Sequence, residues 1–496
     1  MAMKLDMSKA YNRVEWIFLE SIMRKMGFPG RWVELVMATI KFVSYSILIN
    51  GVPRGFIKPT RGFAEVILYL PHLFLLCSEG LNGLLKEAVA AGDLRGFSLC
   101  KNGPQVSHLF FADGSLIFFR VKMGGVQSIQ STLAKYERAS GQKINGTKTN
   151  LFFGKSILDS TKTDLKNFLG VPEIKEYEKY LGLPAMVGRK KKESFIYIKE
   201  RIWEKLQGWK EKLLSQVGRE VLLKAIVQAI STFAMSCFQL PMSLCHEIEV
   251  LIKNFFWGQC GERQKIHWKN WESLCLPKIE GGMGFKELRK FNDAMLAKQV
   301  WRLVHDKESL FYWVFKAMFF PLGDIFSTQV KSESYAWQSI LKARYLIAEC
   351  ARYRVGSGQT AKFIRIVGYQ GKGQGNSGSA LGSTNEVNRK IWSSLWRLEV
   401  PNKIKTFAWR VCTKSLPTLV NLASKKVVLS NSCTSCNREP ETVIHALWGC
   451  EKVAWGTNFD ELCIATYQTL SFVDLFKLVL QNPHGPEGFI MVCWFI

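Results

Sequence analysis

Apolar and polar positions follow two different periods in the two halves of the chain. Up to about residue 185, short apolar runs of strand character (Met3-Lys4-Leu5, Ser46 to Ile49, Leu109 to Phe119, Leu151 to Phe153) are interleaved with helical patterns over Trp16 to Met26 and Leu73 to Ala91. This interleaving predicts an α+β architecture. From about Gly188 the texture changes to amphipathic helices, with Phe195, Ile198, Ile202, Leu206 and Trp209 at helical spacing and basic residues between them. Residues 250 to 345 continue as helix- and tryptophan-rich sequence whose aromatics are expected to fill a core. The stretch GYQGKGQGNSGSALGSTNE, residues 368 to 386, has almost no apolar side chains and reads as a flexible linker before a separate C-terminal module.

One stretch of the first half, SHLFFADGSLIFFR at residues 107 to 120, supports two readings. In the first, Asp113-Gly114 is a type I′ turn joining two apolar strands, and no chemistry is needed. In the second, Asp113 is a carboxylate at a hairpin tip that holds a divalent metal, provided another carboxylate reaches it from a neighbouring strand. Asp6, at the end of the first strand in MAMKLDMSKAYNRVEW, is the candidate partner, with Tyr11 five residues later. Such a pair could share metal ions that activate a 3′-hydroxyl and stabilise charge on a phosphate under attack.

Composition narrows the class of partner. The 496 residues carry 67 lysines and arginines against 41 acids, a net charge of +26, which points to a polyanion such as nucleic acid. Gly188 to Lys224 alone holds eleven basic residues and five glutamates, either a solvated helix face or a nucleic-acid surface. The apolar run Val66 to Cys77 is interrupted by Pro71 and His72 and is too short to span a bilayer. With no signal peptide before the first motif, the expectation is an intracellular protein of nucleus or cytoplasm with no membrane partner. The thirteen cysteines are mostly isolated in apolar surroundings, which suits a reducing compartment. The exception is CTSCNREPETVIHALWGC, where Cys433, Cys436, His445 and Cys450 have the spacing of a tetrahedral Zn²⁺ site with no position left open for catalysis. Cys412 and Cys463 fall outside that pattern and are expected in the core.

The pieces KLDMSKAYNRVEW, SHLFFADGSLIFF, SGQKINGTKTNLFFG and YLGLP, in this order, resemble the reverse transcriptase of plant non-LTR (LINE-type) retrotransposons. VPNKIKTFAWRVCTKSLPT, the Cys/His spacing and Trp455 resemble the zinc-binding domain at the C-terminus of plant reverse transcriptase-like proteins. The resemblance implies a polymerase palm, an antiparallel sheet with helices, over residues 1–185, lacking most of the fingers. It further implies a basic, helical thumb-like region over 186–300, a helix-rich connection over 301–367, the linker at 368–386, a zinc-binding domain over 387–460 and a tail over 461–496. Asp6 then matches the metal-binding aspartate of the first palm motif, and Tyr11 the aromatic that gates against a nucleotide 2′-hydroxyl. Asp113 matches the first aspartate of the aromatic-Ala-Asp-Asp motif. Lys148 sits where the family carries a lysine near the incoming triphosphate, either a general acid or a plain surface charge. The activity implied is Mg²⁺- or Mn²⁺-dependent extension of a DNA 3′-end on an RNA template, with RNA and DNA as partners.

The departures from the family pattern matter as much. Gly114 replaces the second aspartate of the hairpin motif, and Asn12 replaces the usual acid after Tyr11. At RGFAEVILYLPHLFLLC, residues 61 to 77, the family shows a form close to RGLRQGDPLSPYLFLLC. Reading the codons of its polar centre one base out of frame yields Val-Ile-Leu-Tyr-Leu, so two compensating frameshifts are expected to bracket residues 63 to 71. Because Asp6 lies so near Met1, the fingers and an endonuclease domain are expected to be missing. The combined expectation is a truncated, degenerate copy that has lost polymerase chemistry and keeps two of three metal-binding carboxylates. The alternatives are a noncatalytic, zinc-containing nucleic-acid-binding protein using basic helices around 189–224 and the zinc module, or a pseudogene product without selected function.

Overall fold

A computed structural model describes residues 1–63, 70–100, 103–154, 157–174, 179–184, 187–210, 214–258, 265–329, 334–355, 361–366, 381–453, 471–481 and 485–496. The chain divides into two compact units, Met1–Met186 with Asp306–Asp324, and Val187–His305 with Ile325–Ile496. Helices combine with small antiparallel sheets, the expected α+β class.

The first unit is organised by a four-stranded antiparallel sheet in the order His108–Phe111, Gly114–Phe118, Ala2–Leu5, Asn150–Phe152. Met3 pairs with Ile117 on one side and Leu151 on the other, and Leu5 pairs with Ser115. All five are buried, so the period-2 alternation turns one face of the sheet inward. Helices Trp16–Lys25, Gly30–Lys41, Leu70–Ala90 and Met123–Ser140 contribute to the same core through Leu19, Met23, Met37, Leu81, Ile129 and Leu133. A buried polar chain ties the last of these helices to the segment after the first strand. The Tyr136 hydroxyl donates to Gln142 Oε1 at 2.8 Å, and Gln142 Nε2 donates to the Ala10 carbonyl at 3.1 Å. That helix ends at Gly141, whose φ of +73° and tight approach to the Arg13 carbonyl, 2.8 Å from where a Cβ would stand, require glycine.

The hairpin differs from the type I′ expectation. Phe111 pairs with Gly114, so the turn residues are Ala112 and Asp113, and Gly114 is already a strand residue. Ala112 takes a left-handed φ of +50°, while neither Asp113 nor Gly114 has positive φ, and a type I′ turn needs two such residues. Burial decides the register: moving the turn by one residue would rotate Ser115 and Ile117 away from Leu5 and Met3 and expose the whole strand. A separate hairpin, Tyr45–Ile49 with Val52–Ile57, has every residue exposed.

In the second unit, Phe195, Ile198, Ile202 and Leu206 of helix Lys191–Lys210 are buried, as are Leu244, Ile248 and Ile252 of helix Met242–Phe256, which packs against it. Asn292, fully buried on helix Leu288–His305, accepts from the Leu240 N–H at 2.7 Å and donates to the carbonyls of Met235 and Phe238. Helix Leu381–Arg397 begins inside the glycine- and serine-rich span, and residues 367–380 lie outside the described residues. Helices Asn402–Cys412, Leu419–Ser424, Phe472–Val479 and Pro486–Phe495 complete the unit. Cys412 is buried, whereas Cys463 lies outside the described residues. Among the described residues no helix is long and apolar enough to cross a membrane.

Candidate functional site

The sheet brings three of the four palm candidates to one end. Because Leu5 pairs with Ser115, Asp6 emerges at the end of the sheet where the Ala112-Asp113 turn connects its neighbours. Asp6 alternates with the buried Leu5 and Met7, which turns it to the sheet face away from the helices. Tyr11 follows on the short 3-10 turn Ala10–Arg13, with its ring 4.9 Å from that of Phe74. Burial, and then the negative charge of Asp113, push the Tyr11 phenol above its ordinary pKa, so Asp113 stands within electrostatic reach of Tyr11.

The segment carrying Lys148 is stitched directly to Asp6. The Asn145 N–H donates to the Asp6 carbonyl at 2.8 Å, the Asp6 N–H to Thr149 Oγ1 at 3.2 Å, and the Ser8 N–H to the Lys143 carbonyl at 2.8 Å. Asn145 folds the INGTK loop over itself, accepting at Oδ1 from Thr147 Oγ1 at 2.7 Å and at its carbonyl from the Lys148 N–H at 3.2 Å. Lys148 itself is exposed. The same loop borders a cleft of about 690 Å³ lined by both polar and apolar residues, among them Ser8, Arg13, Lys143, Ile144, Asn145 and Pro172.

Sequence reasoning missed the role of Gly62. Its N–H donates to the Val14 carbonyl at 2.8 Å, its carbonyl accepts from Trp16 Nε1 at 2.7 Å, and the Phe63 N–H donates to the Tyr11 carbonyl at 3.1 Å. With φ +78°, a Cβ at Gly62 would fall 2.5 Å from the Asn12 carbonyl oxygen. Thus the Arg61-Gly62 flank of the altered motif holds the Tyr11 turn in place. Residues 64–69, the centre of the proposed frameshifted segment, lie outside the described residues.

Among the described residues, the same end of the sheet shows no third carboxylate. Gly114 occupies the position across from Asp6 in the continued register, and a Cβ there would meet only the Phe111 carbonyl at 3.3 Å. Among the described residues, no third histidine, cysteine or acid joins Asp6 and Asp113 in a group able to hold a metal ion.

Cys433, Cys436, His445 and Cys450 do form such a group, their ligand atoms all within 4.8 Å of one another. Cys433 Sγ is 4.0 Å from Cys450 Sγ, and Cys436 Sγ is 3.4 Å from His445 Nε2. A tetrahedral Zn²⁺ with Zn–S of about 2.3 Å places its ligand atoms about 3.8 Å apart, so the cluster needs little adjustment. Local backbone builds the knuckle: the Asn437 N–H donates to the Cys433 carbonyl at 2.9 Å, with Asn437 itself at φ +55°, and the Cys433 N–H donates to the Glu439 carbonyl at 2.8 Å. Backbone N–H groups then point at the sulfurs. Those of Cys436 and Ser435 lower the Cys433 thiol to about 6, and those of Arg438 and Glu439 lower Cys436. These donors favour thiolate, the form that binds metal. A π-helical turn, His445–Gly449, presents His445 and delivers Cys450, whose N–H donates to the His445 carbonyl at 2.9 Å. The far nitrogen, His445 Nδ1, lies 3.1 Å from a Glu439 carboxylate oxygen, a poorly directed contact that nonetheless favours Nε2 as the ligand atom. The donor set and its geometry fit a structural zinc.

Comparison with known proteins bears directly on the zinc module. Residues 379–455 match a family described as zinc-binding in reverse transcriptase. An Arabidopsis thaliana protein described as a ribonuclease H protein is 25% identical over 347 residues, 54% of this chain and 56% of its own length. An uncharacterized mitochondrial protein of Arabidopsis thaliana is 36% identical over 132 residues, 26% of this chain and 86% of that relative. A second mitochondrial protein of that plant is 42% identical over 66 residues, 13% of this chain and 54% of that relative. The chain thus spans about half the length of the first of these relatives. A telomerase from Candida albicans, solved with a fragment of telomeric RNA, aligns with 63% of this chain and 49% of its own at 12% identity, and its TM-score of 0.27 carries no weight for the fold. The ordered palm motifs, the zinc-binding match and these relatives together make the chain a member of the reverse transcriptase-like proteins derived from plant non-LTR retrotransposons.

Proposed function

We propose that this protein is a degenerate LINE-type reverse transcriptase whose palm has lost nucleotidyl transfer, and which holds nucleic acid through its basic helical region and zinc module. The observation that carries the reading is Gly114 across from Asp6, on a sheet end that otherwise retains Asp6, Asp113, the Tyr11 turn and the Lys148 loop. In this reading residues 1–185 are the palm, 186–300 a thumb-like region, 301–367 a connection and 387–460 the zinc-binding domain.

Phosphoryl transfer by two metal ions needs carboxylates that balance both cations and hold the attacking and leaving oxygens in line. Asp6 and an exposed Asp113 do not fit that demand for Mg²⁺ or Mn²⁺, so no catalytic step is assigned to this chain. Tyr11 keeps the position of a 2′-hydroxyl gate and Lys148 that of a triphosphate contact. Cys433, Cys436, His445 and Cys450 hold Zn²⁺, which supplies folding free energy rather than reactivity. RNA and DNA are the partners that the net charge of +26 suits.

Primer extension tests the loss of chemistry. On a primed RNA template with Mg²⁺ or Mn²⁺, the purified chain and its Asp6→Ala variant are expected to give the same absence of incorporation. Incorporation by the chain that disappears in Asp6→Ala would show a working site and overturn the reading.

A further inference from the structure

The glycine- and serine-rich stretch predicts a zinc module hung separately from a linker, yet the module is seated on a loop of the helical region, residues 276–285, within the same compact unit. The helical region holds this loop firmly. The Met283 N–H donates to the Leu274 carbonyl at 3.0 Å and the Gly284 N–H to the Leu276 carbonyl at 2.8 Å. Met283 and Phe285 are buried, and the Phe285 ring lies 5.2 Å from that of Phe256 and 5.5 Å from that of Trp271. Lys278 pairs with the buried Glu220 at 3.0 Å.

The turn of the loop, Lys278–Glu280 with Gly281, meets the module. Lys278 Nζ lies 4.0 Å from the centroid of the Trp396 ring, and Glu280 pairs with Arg389 at 2.7 Å. Trp409 Nε1 donates to the Gly281 carbonyl at 2.8 Å, and Trp409 is only 1% exposed. Gly281 has φ +84° and lies against the Trp392 indole, which is 2.8 Å from where a Cβ would stand. Glycine is thus required there by the dihedral and by the approach together. Arg389, Trp392, Trp396 and Trp409 all fall within residues 379–455, the stretch that matches the zinc-binding family.

Hydrogen bonds lead from Trp409 to the metal ligands. Arg410, its neighbour, donates from Nη2 to the Ser415 carbonyl at 2.9 Å, and Asn421 Nδ2 donates to the Leu416 carbonyl at 2.8 Å. The Leu419 N–H donates to Glu441 Oε1 at 3.2 Å, and the Glu441 N–H to the carbonyl of Asn431, just before Cys433, at 2.8 Å. Trp392 and Trp409 belong to different helices, Leu381–Arg397 and Asn402–Cys412, so both meet Gly281 only when these helices are packed together. In a module whose folding is coupled to metal binding, a contact made only by the folded form raises metal affinity by the factor by which it favours folding.

We infer that residues 276–285 are a clasp that completes the zinc module, so that zinc affinity is set in part by Gly281 and its partners, which lie far upstream of the first ligand and touch none of the four. The clasp rests on zinc occupancy of Cys433, Cys436, His445 and Cys450. It makes the helical region and the module one folding unit rather than two units on a tether.

The test is the zinc affinity of the full chain, measured by competition with a chromophoric chelator, with circular dichroism to follow the helices. Gly281→Ala is expected to weaken zinc binding by about tenfold or more, the scale on which left-handed strain and overpacking shift a linked equilibrium. Gly92→Ala is the control: it brings similar strain at φ +81° in the first unit, with nothing within 4 Å of the new Cβ, and should leave zinc affinity unchanged. Trp409→Phe removes the donor to the Gly281 carbonyl and should weaken binding by about threefold or more. In Gly281→Ala/Trp409→Phe the two losses should fall short of additive, because both variants break one interface. Unchanged zinc affinity in a Gly281→Ala chain that keeps its helical signal would overturn the clasp, as would additive losses or an equal loss in Gly92→Ala. Where Gly281→Ala does not fold, Trp409→Phe decides, and unchanged affinity there overturns the clasp too. No zinc binding by the original chain would overturn the clasp together with the zinc assignment.

Discussion

Gly62, Ala112 and Gly114 carry more of the site's geometry than their small side chains suggest. Gly62 combines φ +78° with a backbone approach that leaves a Cβ 2.5 Å from the Asn12 carbonyl oxygen. Gly62→Ala is therefore expected to destabilise the first unit by about 2–3 kcal/mol, the sum of left-handed strain and overpacking against backbone. Urea denaturation reads this directly, and an unchanged midpoint would contradict the assigned contact. Ala112 holds φ +50° without being glycine, so Ala112→Gly should be neutral to stabilising, by at most about 1 kcal/mol. The sequence alone made Asp6, Asp113 and Lys148 visible because their identities match a motif. It did not reveal Gly62 or Ala112, because their importance lies in dihedral angles and in segments distant along the chain. The turn itself was misread for the same reason: Asp-Gly is a strong local signal, yet burial of Ser115 and Ile117 sets the register and shifts the turn one residue earlier.

At the scale of elements, period and spacing were good guides wherever one face is buried. The strand at Met3 to Leu5, the helix from Trp16 and the helix containing Phe195, Ile198, Ile202 and Leu206 all follow from alternation or helical spacing. The hairpin Tyr45–Ile49 with Val52–Ile57 shows the converse, for it pairs strands without burying either face and its second strand left no periodic trace. The zinc knuckle was legible from cysteine spacing, whereas the N–H donors to its sulfurs, from Ser435, Cys436, Arg438 and Glu439, are backbone groups that no sequence pattern marks. Removing zinc should unfold residues 402–453 while the sheet of the first unit persists, because thiolate ligation supplies folding free energy to so small a module. Hydrogen exchange with and without chelator would show protection lost only in that segment, and uniform protection would contradict it. Acid should act in the same direction. The Cys433 thiol is depressed to about 6, so the stability its thiolate contributes is fully present above the ordinary thiol range and is lost as pH falls through about 6. Zinc affinity should therefore decline on acidification across that range, and a metal-release titration flat down to pH 5 would contradict the thiolate assignment.

Over the whole molecule, net charge gave the correct kind of question and an incomplete answer. A surplus of 67 basic residues over 41 acids suggests a polyanion without saying where it sits. The structure shows lysines of the basic helical region held by Glu247 and Glu220, a pairing that is tertiary and invisible along the chain. The first unit shows the same limit. Its motifs carry the resemblance to the family, while only the register across Leu5 and Ser115 sets Gly114 opposite Asp6. Restoring the acid is sterically mild, since the new Cβ meets only the Phe111 carbonyl at 3.3 Å, so Gly114→Asp should fold as the original chain does.

The most direct measurement is a Mn²⁺ titration followed by electron paramagnetic resonance on the zinc-loaded chain, compared with Gly114→Asp and with Gly114→Asp/Asp6→Ala. An incomplete site predicts weak binding by the original chain, a gain of about tenfold or more in affinity on Gly114→Asp, and its loss when Asp6 is also removed. Tight Mn²⁺ binding by the original chain that Asp6→Ala abolishes would contradict the account, because Asp6 and Asp113 would then suffice without the third carboxylate.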